Sequence, residues 1–203
     1  MKKNFIGALL LVFLSIMMIS SNVFASQAMD SLKKSVNTVL DTLKNSEFQN
    51  KDKLSEKRKK IWKAVDGIFS FSIMSKKTIG SKNWNKLNEN EQKKFSDLFG
   101  KFLGNIYYTR LEKYTNETVT FERELEQSAT LTIIKTVIKS NTLNIPMDYS
   151  MINDNGWKVY DVNIEGVSLV RNYRSQFHKI IRDKGMGHLM KMMEEKLGFF
   201  KDL

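Results

Sequence analysis

The sequence contains no cysteine, a single proline and two histidines among 203 residues. Without cysteine the chain forms no disulfide and carries no lipid-modified terminal cysteine. The two histidines, His178 and His188, are ten residues apart and match neither the H-x-x-x-H nor the H-E-x-x-H spacing of zinc sites. Phosphate-binding P-loops and glycine-rich dinucleotide loops are also missing. These absences predict a protein that is not an enzyme, with no metal and no cofactor.

One segment resembles a hydrolase motif. Gly166 and Ser168 stand where the first glycine and the nucleophile of a G-x-S-x-G elbow belong, but Val170 replaces the second glycine. That glycine allows the close packing of helix and strand at the elbow. We therefore interpret Ser168 as the N-cap of the helix that follows. A secreted lipid hydrolase remains the least favoured alternative.

The first 25 residues differ from the rest. Lys2 and Lys3 precede a nearly unbroken apolar run from residue 5 to residue 19, and Val23-Phe24-Ala25 provides small residues for cleavage. A run of 15 residues is roughly 22 Å of helix, short of the ~30 Å hydrocarbon core of a bilayer. The pattern predicts a secretory signal peptide over residues 1–25, with one domain over residues 26–203.

Basic residues outnumber acidic ones by 33 to 22, a formal net charge of +11. Removing Lys2 and Lys3 lowers this charge to +9, because residues 1–25 contain no acidic residue. In an exported protein such a surplus favours an anionic membrane surface or an acidic partner over nucleic acid. A solvated basic surface with no specific partner is the alternative.

The first half of the mature chain has the apolar spacing of helices. Met29, Leu32, Val36 and Leu43 form one stripe, and Asn88 with Glu91 resembles a capping box before a longer helix. From Thr118 the period changes to two over four segments, and residues 153–156 form a hairpin turn of Asn, Asp, Asn and Gly. The predicted class is α+β, with a four-stranded antiparallel sheet packed against several helices.

Two details of the strands remain open at this level. Pro146 lies in an alternating segment, which suggests an edge strand or a bulge. In the last strand the alternation places Trp157 and Val159 on one side and Val162 and Ile164 on the other.

Residues 156–177, GWKVYDVNIEGVSLVRNYRSQF, resemble the signature of the MlaC family, also named the toluene-tolerance auxiliary family. A second block resembles the same family through Phe69-x-Phe71-x-x-Met74, Ile79-Gly80 and Trp84, followed by Phe95, Phe99 and Tyr107. The chain departs from the family pattern at Ser70, where an aspartate is usual between the two phenylalanines. This difference affects the local polar contact that the aspartate makes.

The resemblance implies a soluble periplasmic carrier that shuttles a glycerophospholipid between the outer-membrane lipoprotein–porin complex and the inner-membrane ABC transporter complex of the Mla system. It implies an apolar cavity between sheet and helices that covers the acyl tails. We expect a monomer that does not bind nucleic acid. The alternative is an adaptor that docks membrane transport complexes without binding lipid.

The excess of large, soft side chains, 13 Phe and 11 Met, suits either an ordinary core or a lipid cavity. The residues that we predict at the lipid pocket are Phe71, Met74, Phe99, Phe102, Leu103, Tyr107, Ile133, Val137, Met147, Tyr149, Val159, Leu169, Tyr173 and Phe177. Arg171 and Arg174 are candidates either for a phosphate or acidic partner, or for an ionic link to Glu165 or Asp161.

Overall fold

The structure, a computed structural model, describes residues 23–112, 116–140 and 143–202. Four helices precede a sheet, and one long helix follows it. The elements are α1 (Val23–Lys44), α2 (Leu54–Ile68), α3 (Phe71–Trp84), α4 (Glu89–Leu111), β1 (Thr118–Ser128), β2 (Leu131–Lys139), β3 (Asn144–Asn153), β4 (Trp157–Ile164), β5 (Val167–Ser168) and α5 (Leu169–Glu195). Short 3-10 segments at Ser46–Gln49 and Lys51–Lys53 join α1 to α2, and another at Gly198–Asp202 follows α5.

The sheet is a five-stranded meander in the order β1-β2-β3-β4-β5, with every neighbouring pair antiparallel. The predicted α+β class is confirmed, but the sheet has one strand more than predicted. The extra strand has two residues and follows a tight turn in which Glu165 and Gly166 have φ values of 50° and 85°. Two consecutive positive φ values are typical of the turns that match the twist of a hairpin.

Helix starts follow the sequence signals. Asn88 and Glu91 form the predicted capping box of α4, with both reciprocal hydrogen bonds present. The Ser168 hydroxyl accepts a hydrogen bond from the Arg171 backbone N–H at 3.1 Å, which confirms its predicted role as an N-cap. Ser70 occupies the N-cap position of α3 and accepts from the Ile73 N–H at 3.4 Å. At the position where the family usually has aspartate, this chain thus uses a serine hydroxyl to cap the helix.

The predicted side assignment of β4 is wrong in its second half, because a bulge lies within the strand. Met151 pairs with Val159 and Ser150 pairs with Asp161, so Tyr160 is the extra residue. The bulge shifts the alternation by one residue. Val162 consequently points to the same face as Val159, and both are buried.

The interpretation of Pro146 as an edge-strand residue is also wrong, since β3 is the central strand. The Pro146 carbonyl accepts a hydrogen bond from the Glu165 N–H at 3.0 Å, just beyond the last residue of β4. In an antiparallel strand the nitrogen of a residue faces the same neighbour as its carbonyl oxygen. Pro146 therefore lacks its N–H opposite Glu165, so only the reciprocal bond of this terminal pair is missing, and the pairing within β4 is not interrupted.

No helix within residues 23–112, 116–140 and 143–202 combines the length and apolarity needed to cross a bilayer. Residues 1–22, which contain most of the predicted signal peptide, lie outside the described part of the chain.

Candidate functional site

Two apolar clusters fill the space between and beside the layers. The helical cluster is formed by α2, α3, α4, α5 and the C-terminal 3-10 segment. The sheet cluster is formed by the inner face of the sheet with α1, the end of α2 and the start of α5. Phe69 and Tyr107 pack against both clusters. These two side chains mark the junction between sheet and helices.

The helical cluster is held together by aromatic rings. Phe99 meets Tyr173 and Phe177 edge to face, with ring centroids 5.7 and 5.5 Å apart, and Phe102 meets Tyr173 at 5.7 Å. These separations and angles are those that aromatic quadrupoles favour. Phe95 and Phe99 are completely buried within this cluster.

The sheet cluster combines aliphatic, methionine and aromatic side chains, and its burial changes along the strands. Ile134, Met151 and Val159 are 0% exposed at mid-sheet. Farther along the same face, Met147 and its cross-strand partner Ile164 are only half-buried. The inner face is therefore sealed in the middle and partly accessible at one end.

The two ends of the sheet differ in the connections that they carry. The open end is defined by Lys139, Leu143, Pro146, Ile164 and Val167. The turn end is defined by Ala129, Thr130, Asp154, Asn155 and Gly156. The half-buried residues of the inner face lie at the open end.

Three tyrosine hydroxyl groups lie close to the junction of the layers. Tyr149 donates a hydrogen bond to the Met147 sulfur at 2.8 Å, and burial raises the pKa of its phenol. Burial also raises the pKa of Tyr173 to about 12 and raises that of Tyr107, while the nearby Arg110 guanidinium opposes both shifts. All three phenols are neutral at physiological pH and present a weakly polar group inside an apolar space.

The predicted pocket residues divide between the clusters. Those in or against the helical cluster are Phe71, Met74, Phe99, Phe102, Leu103, Tyr173 and Phe177. Those in or against the sheet cluster are Met147, Tyr149, Val159 and Leu169. Tyr107 contacts both clusters. Their role in lipid binding remains a prediction.

The structure places Ile133 and Val137 on the other face of β2. Thr132, Ile134 and Thr136 are the buried positions of that strand, so alternation points Ile133 and Val137 away from the helices. The sequence of β2 does not show which face is buried, because the strand carries apolar residues on both faces. Inner-face positions that the prediction missed are Ile134, Met151 and Val162. Pairing from the hairpin turn could have found Met151, since Trp157 pairs with Asn153 and Val159 with Met151.

A separate pocket of about 560 Å³ opens on the helical side of the molecule. Its apolar wall includes Phe71, which stacks between Trp62 and Phe69 with ring centroids 5.6 and 5.7 Å away. Its rim is charged and includes Lys93 with its ion-pair partner Asp97 at 2.7 Å. Phe71 belongs to the helical cluster, while its neighbour Phe69, which also lines this pocket, packs against both clusters.

The turn between β4 and α5 is tied by polar contacts. The Asp161 carboxylate accepts hydrogen bonds from the Ser168 hydroxyl at 2.6 Å and from the Val170 N–H at 3.0 Å. His178 instead contacts the Ile79 carbonyl oxygen at 3.0 Å. Ser168 thus has a carboxylate and a backbone N–H as partners, which is the pattern of a structural cap.

The two arginines of this region do not bind Asp161. Arg174 donates to the Lys77 carbonyl oxygen at 3.4 Å, near the break in α3 at Gly80. Arg171 is exposed and forms no ion pair with a carboxylate of the described residues. Among the described residues, neither arginine forms an ion pair with Asp161 or Glu165.

A family model described as MlaC protein matches residues 33–195, which is most of the chain. The chain belongs to the MlaC family. The MlaC-like segment over residues 156–177 corresponds to β4, β5 and the first part of α5, the strand–turn–helix unit that Asp161 and Ser168 hold together.

Among solved structures, the chain is similar to a phospholipid-binding protein from Ralstonia solanacearum determined in complex with a phospholipid. The two share 26% sequence identity and a TM-score of 0.72, over 86% of this chain and 98% of the other. A comparison with curated proteins gives no match. The structural likeness extends across the MlaC fold rather than one part of it.

Proposed function

We propose that this protein is a periplasmic carrier that binds a glycerophospholipid with its acyl tails between the sheet and the helices. It shuttles the lipid between the outer-membrane and inner-membrane Mla complexes and performs no covalent chemistry. The observation that carries the proposal is the structural similarity to a protein solved in complex with a phospholipid. This similarity covers 86% of the present chain and 98% of the other.

The inner face of the sheet supports this assignment. Its side chains are aliphatic, methionine and aromatic, with Thr132 and Thr136 as buried hydroxyl residues, and burial decreases toward the open end at Met147 and Ile164. Methionine adapts to chains of variable shape, and a buried phenol offers one weak hydrogen bond without charge. Such a lining fits an acyl tail with an ester linkage near the accessible end.

The energetics explain why a carrier is needed. Two acyl chains of roughly 15 methylenes each would cost on the order of 25 kcal/mol to expose to water, at about 0.8 kcal/mol per CH₂. Spontaneous transfer through an aqueous compartment is therefore very slow. A protein that covers the tails removes most of that barrier.

The test begins with purification in the absence of detergent, followed by organic extraction and mass spectrometry. We expect co-purified phospholipid and uptake of labelled lipid from vesicles. Substituting Met147→Glu places a carboxylate beside the tails, and we expect about tenfold less bound lipid, because burying an unpaired charge is unfavourable. The matched control is Val137→Glu on the outer face of neighbouring β2, which is expected to keep its lipid.

Two results would overturn the proposal. Folded wild-type protein without lipid and without uptake would favour an adaptor that docks transport complexes. Equal lipid content in the two glutamate variants, whether both keep their lipid or both lose it, with unchanged circular dichroism, would contradict binding at the inner face of the sheet.

We also propose export and cleavage after Ala25, which would leave Ser26 as the first residue of a monomer. N-terminal sequencing of the protein from a periplasmic extract tests the cleavage site. Retention of Lys2 and Lys3 in the mature protein would contradict it. Transfer of fluorescent lipid to vesicles that contain the inner-membrane Mla complex, compared with empty vesicles, tests the partner.

A further inference from the structure

The two ends of the sheet differ in what they expose. Among the side chains that the structure describes, Leu143 and Val167 are the large apolar ones that are exposed, at 63% and 56%. Both belong to the open end. The turn end exposes only Ala129 and polar or glycine residues at its turns.

Both exposed side chains are held by a fixed backbone. Leu143 forms two hydrogen bonds with Ser140. The Leu143 N–H donates to the Ser140 hydroxyl at 3.0 Å, and the Leu143 carbonyl oxygen accepts from the Ser140 N–H at 2.9 Å. Val167 pairs with Ile164 in the β4–β5 hairpin. The Glu165 N–H bonds Pro146, three residues after Leu143, so the two segments are neighbours.

Charged residues surround this apolar pair. Lys139 ends β2 and Arg171 lies in the first turn of α5; both are exposed and neither forms an ion pair with a described carboxylate. Glu165 is the exposed carboxylate in the same region, and Glu117, just before β1, is half-buried. These local charges balance, so attraction to an anionic surface would come from the chain as a whole, whose net charge is +11 before and +9 after removal of Lys2 and Lys3 with residues 1–25.

We propose that the open end docks on a phospholipid bilayer, with Leu143 and Val167 entering the interface and Lys139 and Arg171 contacting phosphates. Exposed aliphatic side chains beside cations are the combination that binds membrane interfaces. The inner-face residues that are half-buried, Met147 among them, lie at the same end, so docking would place the accessible part of the lipid site against its source. This inference rests on the proposed function.

The absence of cysteine allows a direct test, because each introduced cysteine is the only one in the chain. Leu143→Cys and Val167→Cys report on the open end and Ala129→Cys on the turn end, each labelled with an environment-sensitive fluorophore. With vesicles of phosphatidylethanolamine and phosphatidylglycerol, we expect emission at 143 and 167 to rise several-fold and emission at 129 to stay constant. Equal responses at both ends, or a response at 129 alone, would overturn the proposal.

A second experiment measures vesicle co-sedimentation of the unlabelled protein. Leu143→Asn with Val167→Asn is expected to weaken binding about tenfold, since two partly submerged aliphatic side chains are lost. Ala129→Asn is the control and should bind as wild type does. Lipid co-purified with each variant is measured in parallel, so docking and lipid binding are judged separately.

The outcomes distinguish the two proposals. If wild-type protein co-purifies with lipid but does not bind vesicles, the bilayer-docking proposal is overturned and the carrier function is not. If the fluorescence at position 143 changes only when the vesicles contain a membrane protein, bilayer docking is also overturned, and the open end binds a protein partner instead. Protein without lipid and without uptake overturns the carrier function itself.

Discussion

The helical cluster and the sheet cluster bury apolar side chains in different ways. In the helical cluster, Phe99 is completely buried and contacts the rings of Phe95, Tyr173 and Phe177. In the sheet cluster, burial is complete at Met151 and incomplete at Met147 on the same strand face. Each cluster therefore has a sealed part and an accessible part. The rings around Phe99 are sealed and the pocket at Phe71 is open, while Met151 is sealed and Met147 is half-buried.

The largest expected effect tests the closed side of this comparison. Phe99→Ala removes a fully buried ring with three ring partners and should lower the free energy of unfolding by about 3–5 kcal/mol. Ile164→Ala at the open end should lower it by about 1 kcal/mol, because the side chain is half-buried. Urea unfolding of both variants measures the difference. Similar losses would mean that the sheet face is as tightly packed as the helices.

A smaller effect is expected from tightening the helical cluster. A Cβ atom at Gly100 would lie 2.8 Å from the Phe71 ring, so Gly100→Ala should destabilise the protein by about 1–3 kcal/mol. Gly187→Ala is the control, since a Cβ there meets nothing within 4 Å and a helical alanine is favoured by up to about 1 kcal/mol. Thermal melting distinguishes them. A neutral Gly100→Ala would show that Phe71 moves freely in its pocket.

The next effect concerns the connection between the two clusters. Ser168→Ala removes the cap of α5 and the hydroxyl partner of Asp161, for an expected loss of about 1 kcal/mol. Hydrolysis of ester substrates is expected to be absent in wild type and variant alike. Ester hydrolysis by wild-type protein that disappears in the folded variant would instead assign a nucleophile to Ser168.

The smallest expected effect is a pH dependence of the free energy of unfolding that is absent at neutral pH and appears at alkaline pH. Burial raises the pKa of Tyr173 from 10.0 to about 12, so the folded state keeps a proton that the unfolded state has released. The free energy of unfolding should therefore be constant below about pH 9 and fall as the pH rises from 10 toward 12. Tyr173→Phe should reduce this slope. A slope that is unchanged in the variant would assign the effect to other phenols, such as Tyr149 in the sheet cluster.

Much of the fold was predictable because its signals are local. The capping box at Asn88, the hairpin turn at Asn155 and the cap at Ser168 each depend on a few adjacent residues, and each was found where the sequence placed it. The site was less predictable. The β4 bulge at Tyr160 shifts the alternation by one residue, and β2 has apolar residues on both faces, so parity could not be decided from the strand alone.

The sequence by itself determined the α+β class, the helix and turn boundaries marked by caps and glycines, and the MlaC-like segment over residues 156–177. Tertiary structure decided which apolar residues form each cluster, because burial depends on packing partners that are distant in sequence. It also decided that Pro146 lies in the central strand and that Leu143 and Val167 share one end of the sheet. Cross-strand register sets both arrangements, and register is a property of pairs of strands rather than of any one segment.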